Sequence, residues 1–419
     1  MRIGAKLLDH ASRVTAELLT FRQPADSVLS NYFHAQRAGS RERAFIAEAA
    51  YAVLRRKRLL ESLAGDGATP RRLVLAALVK LQGVSQRQLA EAIDDDEAGW
   101  LADLKAQAEP ELTLAEKADF PDWLLEHLRR RMSDDEILTL ARSLNQPAAL
   151  DLRVNPLKAT REEVLAHLVA AGIDAEACRY APLGIRLKGR PSLARHPLYL
   201  EGKIEVQDEG SQLLGYLVAP RRGEMVADFC AGAGGKTLLL GAMMRSSGRL
   251  YAFDVADKRL AKLKPRVARA GLSNVHPVCI SGESDARVKR LAGKLDRVLV
   301  DAPCSGLGTL RRNPDLKWRQ TPESVAELSR KQADILAGAA RLVKAGGCLV
   351  YATCSILPEE NEQVVDNFLA THPDFVRQSA TEALARQDIA LDTGMDLRLT
   401  PHQHGTDGFY AAVLERKKP

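Results

Sequence analysis

The 419-residue chain contains no apolar run approaching the roughly 18 residues a membrane span requires, so no transmembrane helix is expected. Its opening, Met1-Arg-Ile-Gly-Ala-Lys-Leu-Leu8, carries neither an apolar signal core nor a clear cleavage site, which leads to the expectation of a cytoplasmic protein. Cysteine is scarce. The six present (Cys178, Cys230, Cys279, Cys304, Cys348 and Cys354) form no CxxC and no Cys/His zinc spacing, so no metal site is expected. In a reducing compartment they should be free thiols rather than a disulfide frame. There is no internal repeat and no low-complexity segment. A Walker loop is also missing, because no glycine precedes a Gly-Lys pair by four intervening residues.

What is present is ordinary for a globular protein of two to four domains, with 46% hydrophobic and 27% charged residues. Lys plus Arg outnumber Asp plus Glu by 60 to 54, a net +6 that bears on association rather than on fold. The distribution says more. Basic residues cluster at Arg37, Arg41 and Arg43, at Arg55-Arg-Lys-Arg58, Arg71-Arg72, Arg129-Arg-Arg131 and Arg311-Arg312. One such cluster is usually a solvated helix face. Several in one chain point toward a nucleic acid.

Texture divides the chain into three. Residues 1–117 read as a helical bundle, with apolar residues at helical spacing over Arg43–Leu63, Arg71–Leu81 and Ser85–Ile93, the last with Ser85 as N-cap. The acidic run Asp94-Asp-Asp-Glu97 reads as a loop. Residues 118–211 read as a small α/β linker module. It has a helix from Pro121 to Arg131, a strand at Ala149–Val154, a helix at Ala159–Ala171 capped by Thr160, and a strand at Gly184–Leu187. Arg153 and Asn155, at a strand end, suit RNA contact and a plain turn equally. Residues 212–419 alternate strand and helix as a doubly wound sheet, with strand candidates at Met225–Asp228, Arg249–Phe253, Val275–Cys279, Arg297–Val300, Gly347–Tyr351 and Thr406–Leu414.

Two of those strands end in cysteine-bearing turns, Asp301-Ala-Pro-Cys304-Ser305 and Thr353-Cys354-Ser355. A crossover helix at about Glu323–Val343 makes them a right-handed strand-helix-strand unit, which brings both strand ends to one edge of the sheet. Neighbouring strands lie about 5 Å apart, so both thiols should face one crevice. Lone cysteines mostly pack as small hydrophobes. Two at matching strand ends favour chemistry.

The segment Asp228-Phe-Cys230-Ala231-Gly232-Ala233-Gly234-Gly235-Lys236-Thr237 follows the first strand of this region and opens a helix. Its glycines permit a tight turn and close approach of a ligand. Alone it is a weak signal. Asp254, at the end of the next strand, can accept from both ribose hydroxyls of an adenosine group, and Asp285 after the third strand could meet the adenine amine. With no phosphate cradle, S-adenosylmethionine fits better than NAD.

Taken with Arg311-Arg-Asn-Pro-Asp-Leu-Lys-Trp318, Val206-Gln-Asp-Glu-Gly-Ser211 and Asp407-Gly-Phe-Tyr410, these motifs resemble the RNA cytosine-C5 methyltransferases of the RsmB/Nop/Sun family. The likeness spans residues 145–419, and the helical N-terminus more loosely resembles the NusB-like domain of the RsmB branch. The resemblance implies a Rossmann-like class I methyltransferase domain, a small α/β linker and an all-α NusB-like domain. It implies S-adenosylmethionine bound by Cys230, Ala231, Gly232, Ala233, Gly234, Gly235, Lys236, Asp254, Asp285 and Asp301. It implies small-subunit ribosomal RNA as substrate for a monomeric enzyme, with Cys354 as nucleophile at cytosine C6, Cys304 in product release, and Asp301 and Lys236 beside the base. The family often has Gly-Asp at the adenine-contacting position, whereas this chain reads Ser281-Gly-Glu-Ser-Asp285. A non-catalytic RNA-binding assembly factor on the same fold is the alternative.

Overall fold

The computed structural model describes residues 2–106 and 111–418. The chain forms two compact units, one of residues up to Pro147 joined by Thr309–Pro322, the other of Ala148–Gly308 and Glu323–Pro419.

The first unit is helical. Its apolar residues gather in two clusters, and the helix Ser40–Arg55 feeds both: Ala49 and Val53 enter one, Ile46, Ala50 and Leu54 the other. The continuous helix expected over Arg43–Leu63 is broken at Arg56 (φ −119°, ψ 34°) and restarts as Lys57–Ala64. The cause is tertiary. Asp119, buried and left-handed, accepts from the Leu59 amide at 3.2 Å and from Arg56 Nε at 2.6 Å, capping the restart from a distant part of the chain. The run Asp94–Glu97 is not the loop its charge suggested. Asp95–Ala106 is a helix, Asp94 accepts from the Glu97 amide at 2.8 Å, and the acids in its first turn meet the positive end of the macrodipole.

Thr309–Pro322 belongs to this helical unit although its flanking residues belong to the other. The helix Ser40–Arg55 leaves carbonyls without intrahelical partners at its C-terminus. Trp318 Nε1 donates to that of Leu54 at 2.9 Å, and Lys317 Nζ to that of Arg55 at 2.9 Å. Lys317 is fully buried, donates also to Asn145 Oδ1 at 2.8 Å, and has its pKa lowered by burial to about 7. Many arginines of the basic clusters are likewise engaged within the protein. Arg58 pairs with Asp122, Arg71 with Asp9 and Glu97, and Arg129 with Asp134. Their clustering therefore reflects helix-to-helix pairing as much as a face for phosphate.

The second unit holds two sheets. In the smaller, β1 (Leu150–Val154), β2 (Ala175–Ala177), β3 (Gly184–Leu187) and β4 (Ile204–Val206) lie in the order β2-β3-β1-β4, all antiparallel. The helix Arg161–Ala170 has the expected Thr160 cap, closed into a capping box by Glu163. The larger sheet contains β5 (Met225–Asp228), β6 (Arg249–Asp254), β7 (Val275–Cys279), β8 (Leu295–Asp301), β9 (Val343–Thr353), β10 (Phe375–Gln378), β11 (Leu397–Leu399) and β12 (Phe409–Arg416). Its order is β10-β12-β9-β8-β5-β6-β7, with β11 beside β12. β5 to β9 are parallel and β12 runs antiparallel to β9.

Side chains alternate between two buried faces, as strands covered on both sides require. Val298, Val300, Leu349 and Tyr351 pack against helices Pro322–Ala340 and Glu362–Thr371. Leu299, Val350 and Ala352 pack against Glu209–Val218 and Ala380–Ala385. This three-layer arrangement is a Rossmann-like fold, and it exposes the carboxyl ends of β5, β6, β8 and β9 along one edge.

Candidate active site

β8 and β9 are neighbours in parallel register, with Asp301 opposite Ala352. The two cysteine turns that follow them meet. Cys304 Sγ lies 3.4 Å from Cys354 Sγ. The Cys304 thiol is held well above its usual pKa, first by its hydrogen bond with Cys354, then by burial and by the negative charges of Cys354 and Glu360. Either sulfur can donate in this contact, and the shift disfavours a thiolate at Cys304.

Asp301 and Lys236 join across the crevice, Lys236 Nζ donating to Asp301 Oδ2 at 2.7 Å. Burial works against the Lys236 charge, but Asp301 beside it, together with Cys354 and Asp228, raises its pKa overall. The ammonium also sits 5.8 Å from the centroid of the Phe409 ring, on β12. Beneath it, burial pushes the Asp228 carboxyl up to about 7; Thr237 Oγ1 donates to Asp228 Oδ2 at 2.7 Å, and Asp228 Oδ1 is buried without a partner.

The glycine turn is pinned from several sides. Asp254 Oδ2 accepts from the Gly232 amide at 2.8 Å and Oδ1 from the Ala256 amide at 2.7 Å. Arg266 donates to the Ala233 carbonyl at 2.6 Å. Arg153 donates to the carbonyl of Gly235 at 2.7 Å, and its guanidinium is buried. Gly232 (φ +55°) has open space where a Cβ would stand, whereas a Cβ at Gly234 (φ +88°) would lie 2.1 Å from Leu263. One glycine thus opens the turn toward a ligand and the other seats it on the core. Cys230 and Ala231 pack into hydrophobic clusters. A ligand with ribose hydroxyls fits the Asp254 carboxylate and the open Gly232 face, while the orphaned Asp228 oxygen offers an acceptor behind them.

Asp285 lies differently from Asp254. Its Oδ1 accepts from the amide and Nε of Arg287, and its Oδ2 from the Ser281 amide at 2.9 Å and Arg287 Nη2 at 2.7 Å. Those bonds, the Arg287 guanidinium first, hold the carboxyl far below the usual range. Arg153 and Asn155 are both buried and bond to backbone carbonyls, Asn155 to those of Gly202 and Ala270, which decides for the turn and against RNA contact.

A further acid escaped the sequence reading. Glu360, in the short turn Pro358–Glu360, is fully buried and accepts from Ser305, Ser355 and Gln332. The signal available was a serine directly after each cysteine, followed by Pro358-Glu-Glu-Asn-Glu362. Among the described residues one cluster has metal-ligand chemistry, Asp151, Cys178 and Glu209. A cation is already supplied there by Arg186, 2.8 Å from Asp151 Oδ1 and 3.5 Å from Glu209 Oε2.

A family profile described as 16S rRNA methyltransferase RsmB/F matches residues 215–415, and one for the ferredoxin-like domain of RsmF/B-like methyltransferases matches residues 120–194. A probable ribosomal RNA small subunit methyltransferase B of Synechocystis sp. is 36% identical, covering 90% of this chain and 91% of that one. The crystal structure of PH0851 superposes with a TM-score of 0.82 at 28% identity, covering 99% of this chain and 100% of that one. A methyltransferase homolog from Pyrococcus horikoshii does so at 0.58 and 29% identity, covering 71% and 99%. With the paired thiols, the pinned glycine turn and this extent of likeness together, the chain belongs to the RsmB/F family of 16S rRNA methyltransferases.

Proposed function

We propose that this protein methylates C5 of a cytosine in small-subunit ribosomal RNA through a covalent adduct between Cys354 and C6 of the base. As a member of a ribosomal RNA methyltransferase family, it uses S-adenosylmethionine as its methyl donor. That cofactor supplies an electrophilic sulfonium methyl, and the residues that would hold it are Cys230 to Lys236 by their backbone, Asp254 at the ribose, and the region of Asp285 and Asp301.

The observation that carries the cytosine-C5 reading is the 3.4 Å approach of two thiols at adjacent parallel strand ends. Transfer to an exocyclic amine needs no thiol. C5 becomes nucleophilic only when a sulfur adds to C6, and after transfer the C5 proton must leave and the C6–S bond must break. We assign the addition to Cys354 as thiolate; after methyl transfer a water takes the C5 proton, the C6–S bond breaks, and the Cys304 thiol assists release by donating its S–H to the departing Cys354 thiolate. To Asp301, paired with Lys236, we assign the hydrogen bond from the cytosine N4 amine. The base must leave any stack it occupies, at a cost of a few kcal/mol. Phosphate contacts from the helical unit and the small sheet would make binding salt-dependent. No helix among the described residues is long and apolar enough to cross a membrane. We take the protein to act as a monomer, organised as residues 1–117, 118–211 and 212–419.

Incubation with labelled S-adenosylmethionine and unmodified small-subunit RNA should yield 5-methylcytosine with the wild type and none with Cys354→Ala. Cys304→Ala should accumulate a denaturation-resistant protein–RNA adduct. RNA binding without any transfer by the wild type would make the protein an assembly factor instead.

A further inference from the structure

Each active-site cysteine is followed by a buried serine, and both serines bond to one carboxylate. Glu360 Oε2 accepts from Ser305 Oγ and Ser355 Oγ, both at 2.5 Å, and Oε1 from the Ser305 amide at 2.7 Å and Gln332 Nε2 at 3.0 Å. The two hydroxyl oxygens are themselves 3.2 Å apart. Gln332 also donates to the carbonyl of Pro303 at 2.9 Å, and Asn361 Nδ2 to that of Ser355 at 3.1 Å. Pro303, Ser305 and Ser355, which these bonds hold, each adjoin Cys304 or Cys354 in the chain.

A buried carboxylate with four neutral donors and no basic side chain in bonding contact is expensive to desolvate. Stability alone would be served as well by replacing the carboxylate and its donors together with apolar groups of similar volume. What such a group supplies is geometric specificity, because an unmet lone pair in the interior penalises any displacement of its donors. The donors here belong to the two turns that must hold their sulfurs in register.

We propose that Glu360 is a positioning residue for the methyl-transfer reaction, clamping the Ser305 and Ser355 turns together so that Cys304 and Cys354 stand at reacting distance. This rests on the two-thiol reading above. Glu360 touches neither substrate nor cofactor. It acts through the two serines, and drift of the thiols by about 1 Å is what its loss would allow.

The test compares Glu360→Ala, Glu360→Gln and Ser305→Ala/Ser355→Ala with the wild type on small-subunit RNA, with S-adenosylmethionine affinity measured by calorimetry as the folding control. Glu360→Ala should lower kcat about 100-fold, the scale of a 1 Å misplacement, with KM for RNA and affinity for S-adenosylmethionine within about 3-fold of wild type. Glu360→Gln keeps the volume and one acceptor oxygen, and its amide can donate to a rotated hydroxyl, so it should recover at least about 10-fold of that loss. Adding Glu360→Ala to the double serine variant should cost little more, since residues acting as one unit are not additive. Should Glu360→Ala not fold, the Gln and double serine variants carry the same comparison. Wild-type kcat in Glu360→Ala, or a fall in cofactor affinity equal to the fall in kcat, overturns the clamp. Absence of 5-methylcytosine from the wild type, or of an adduct with Cys304→Ala, instead overturns the reading on which it rests.

Discussion

Cys304 and Cys354, fifty residues apart in the chain, bring their sulfurs within 3.4 Å at the ends of adjacent parallel strands. The pair is unequal. Hydrogen bonding to Cys354, burial and the Glu360 charge all disfavour a thiolate at Cys304. Tyr351 on β9 shares this field and is itself raised by burial, while the Lys236 ammonium faces Cys354. Iodoacetamide at pH 7.5 should therefore alkylate Cys354 well before Cys304, as read by peptide mass mapping. Faster labelling of Cys304 would reverse the assignment of roles.

Asp254 and Asp285 end successive strands but should contribute unequally to cofactor binding. Asp254→Ala is expected to weaken S-adenosylmethionine binding roughly 10- to 100-fold, the loss of hydrogen bonds to a charged acceptor, and to loosen the Gly232 turn as well. Asp285→Ala should cost less than about 5-fold by the same scale, because the Arg287 guanidinium grips both of its oxygens, whereas Asp254 is bonded by the Gly232 and Ala256 amides with Arg259 farther off at 3.2 Å. Titration calorimetry separates the two.

Lys317 makes stability depend on alkaline pH. Its folded pKa of about 7, lowered by burial against the pull of Asp119, lies below the ordinary lysine value of about 10.4. Between those limits the unfolded chain binds the extra proton, so stability should rise with pH, by up to about 1.4 kcal/mol per unit, and level off above the upper limit. Below pH 7 both states are protonated and the term is flat. Urea unfolding at pH 7.5 and 9.5 should show the rise in wild type and its loss in Lys317→Met.

Gly308 closes the Cys304 turn against two other backbone segments, its amide donating to the Cys354 carbonyl at 2.8 Å and its carbonyl accepting from the Gly408 amide at 2.8 Å. A Cβ there would lie 2.2 Å from the Gly408 oxygen and 2.8 Å from that of Cys354. Gly308→Ala should cost about 1–3 kcal/mol by urea unfolding and lower kcat more than it changes cofactor affinity, because the displaced backbone carries Cys354. Unchanged kcat would show that the turn tolerates the shift.

Much of the catalytic half was legible along the chain. β5 to β9 are short apolar runs ended by turn residues, and their spacing by helices fixes parallel neighbours, so the shared crevice of Cys304 and Cys354 followed from topology. The helical unit was read less well. Asp94–Glu97 looked like a loop because charge alone does not separate a solvated turn from a helix N-terminus. The break at Arg56 left no local trace, since Asp119 imposes it from 63 residues away. The arginine clusters suggest phosphate, but Asp122 lies 64 residues from Arg58, and Asp9 and Glu97 lie 62 and 26 from Arg71.

The strand-helix-strand unit, the glycine turn before Lys236 and the placement of both thiols at one sheet edge are legible along the chain. These follow from local periodicity and from the handedness of a parallel crossover. Only packing brings Glu360 beside Cys304 and so disfavours its thiolate, buries Lys317 in the helical unit, and joins the two serines beside the thiols to one carboxylate. Each of those depends on a partner brought close by packing, and burial then multiplies the cost or gain of the contact in a way that no run of residues encodes.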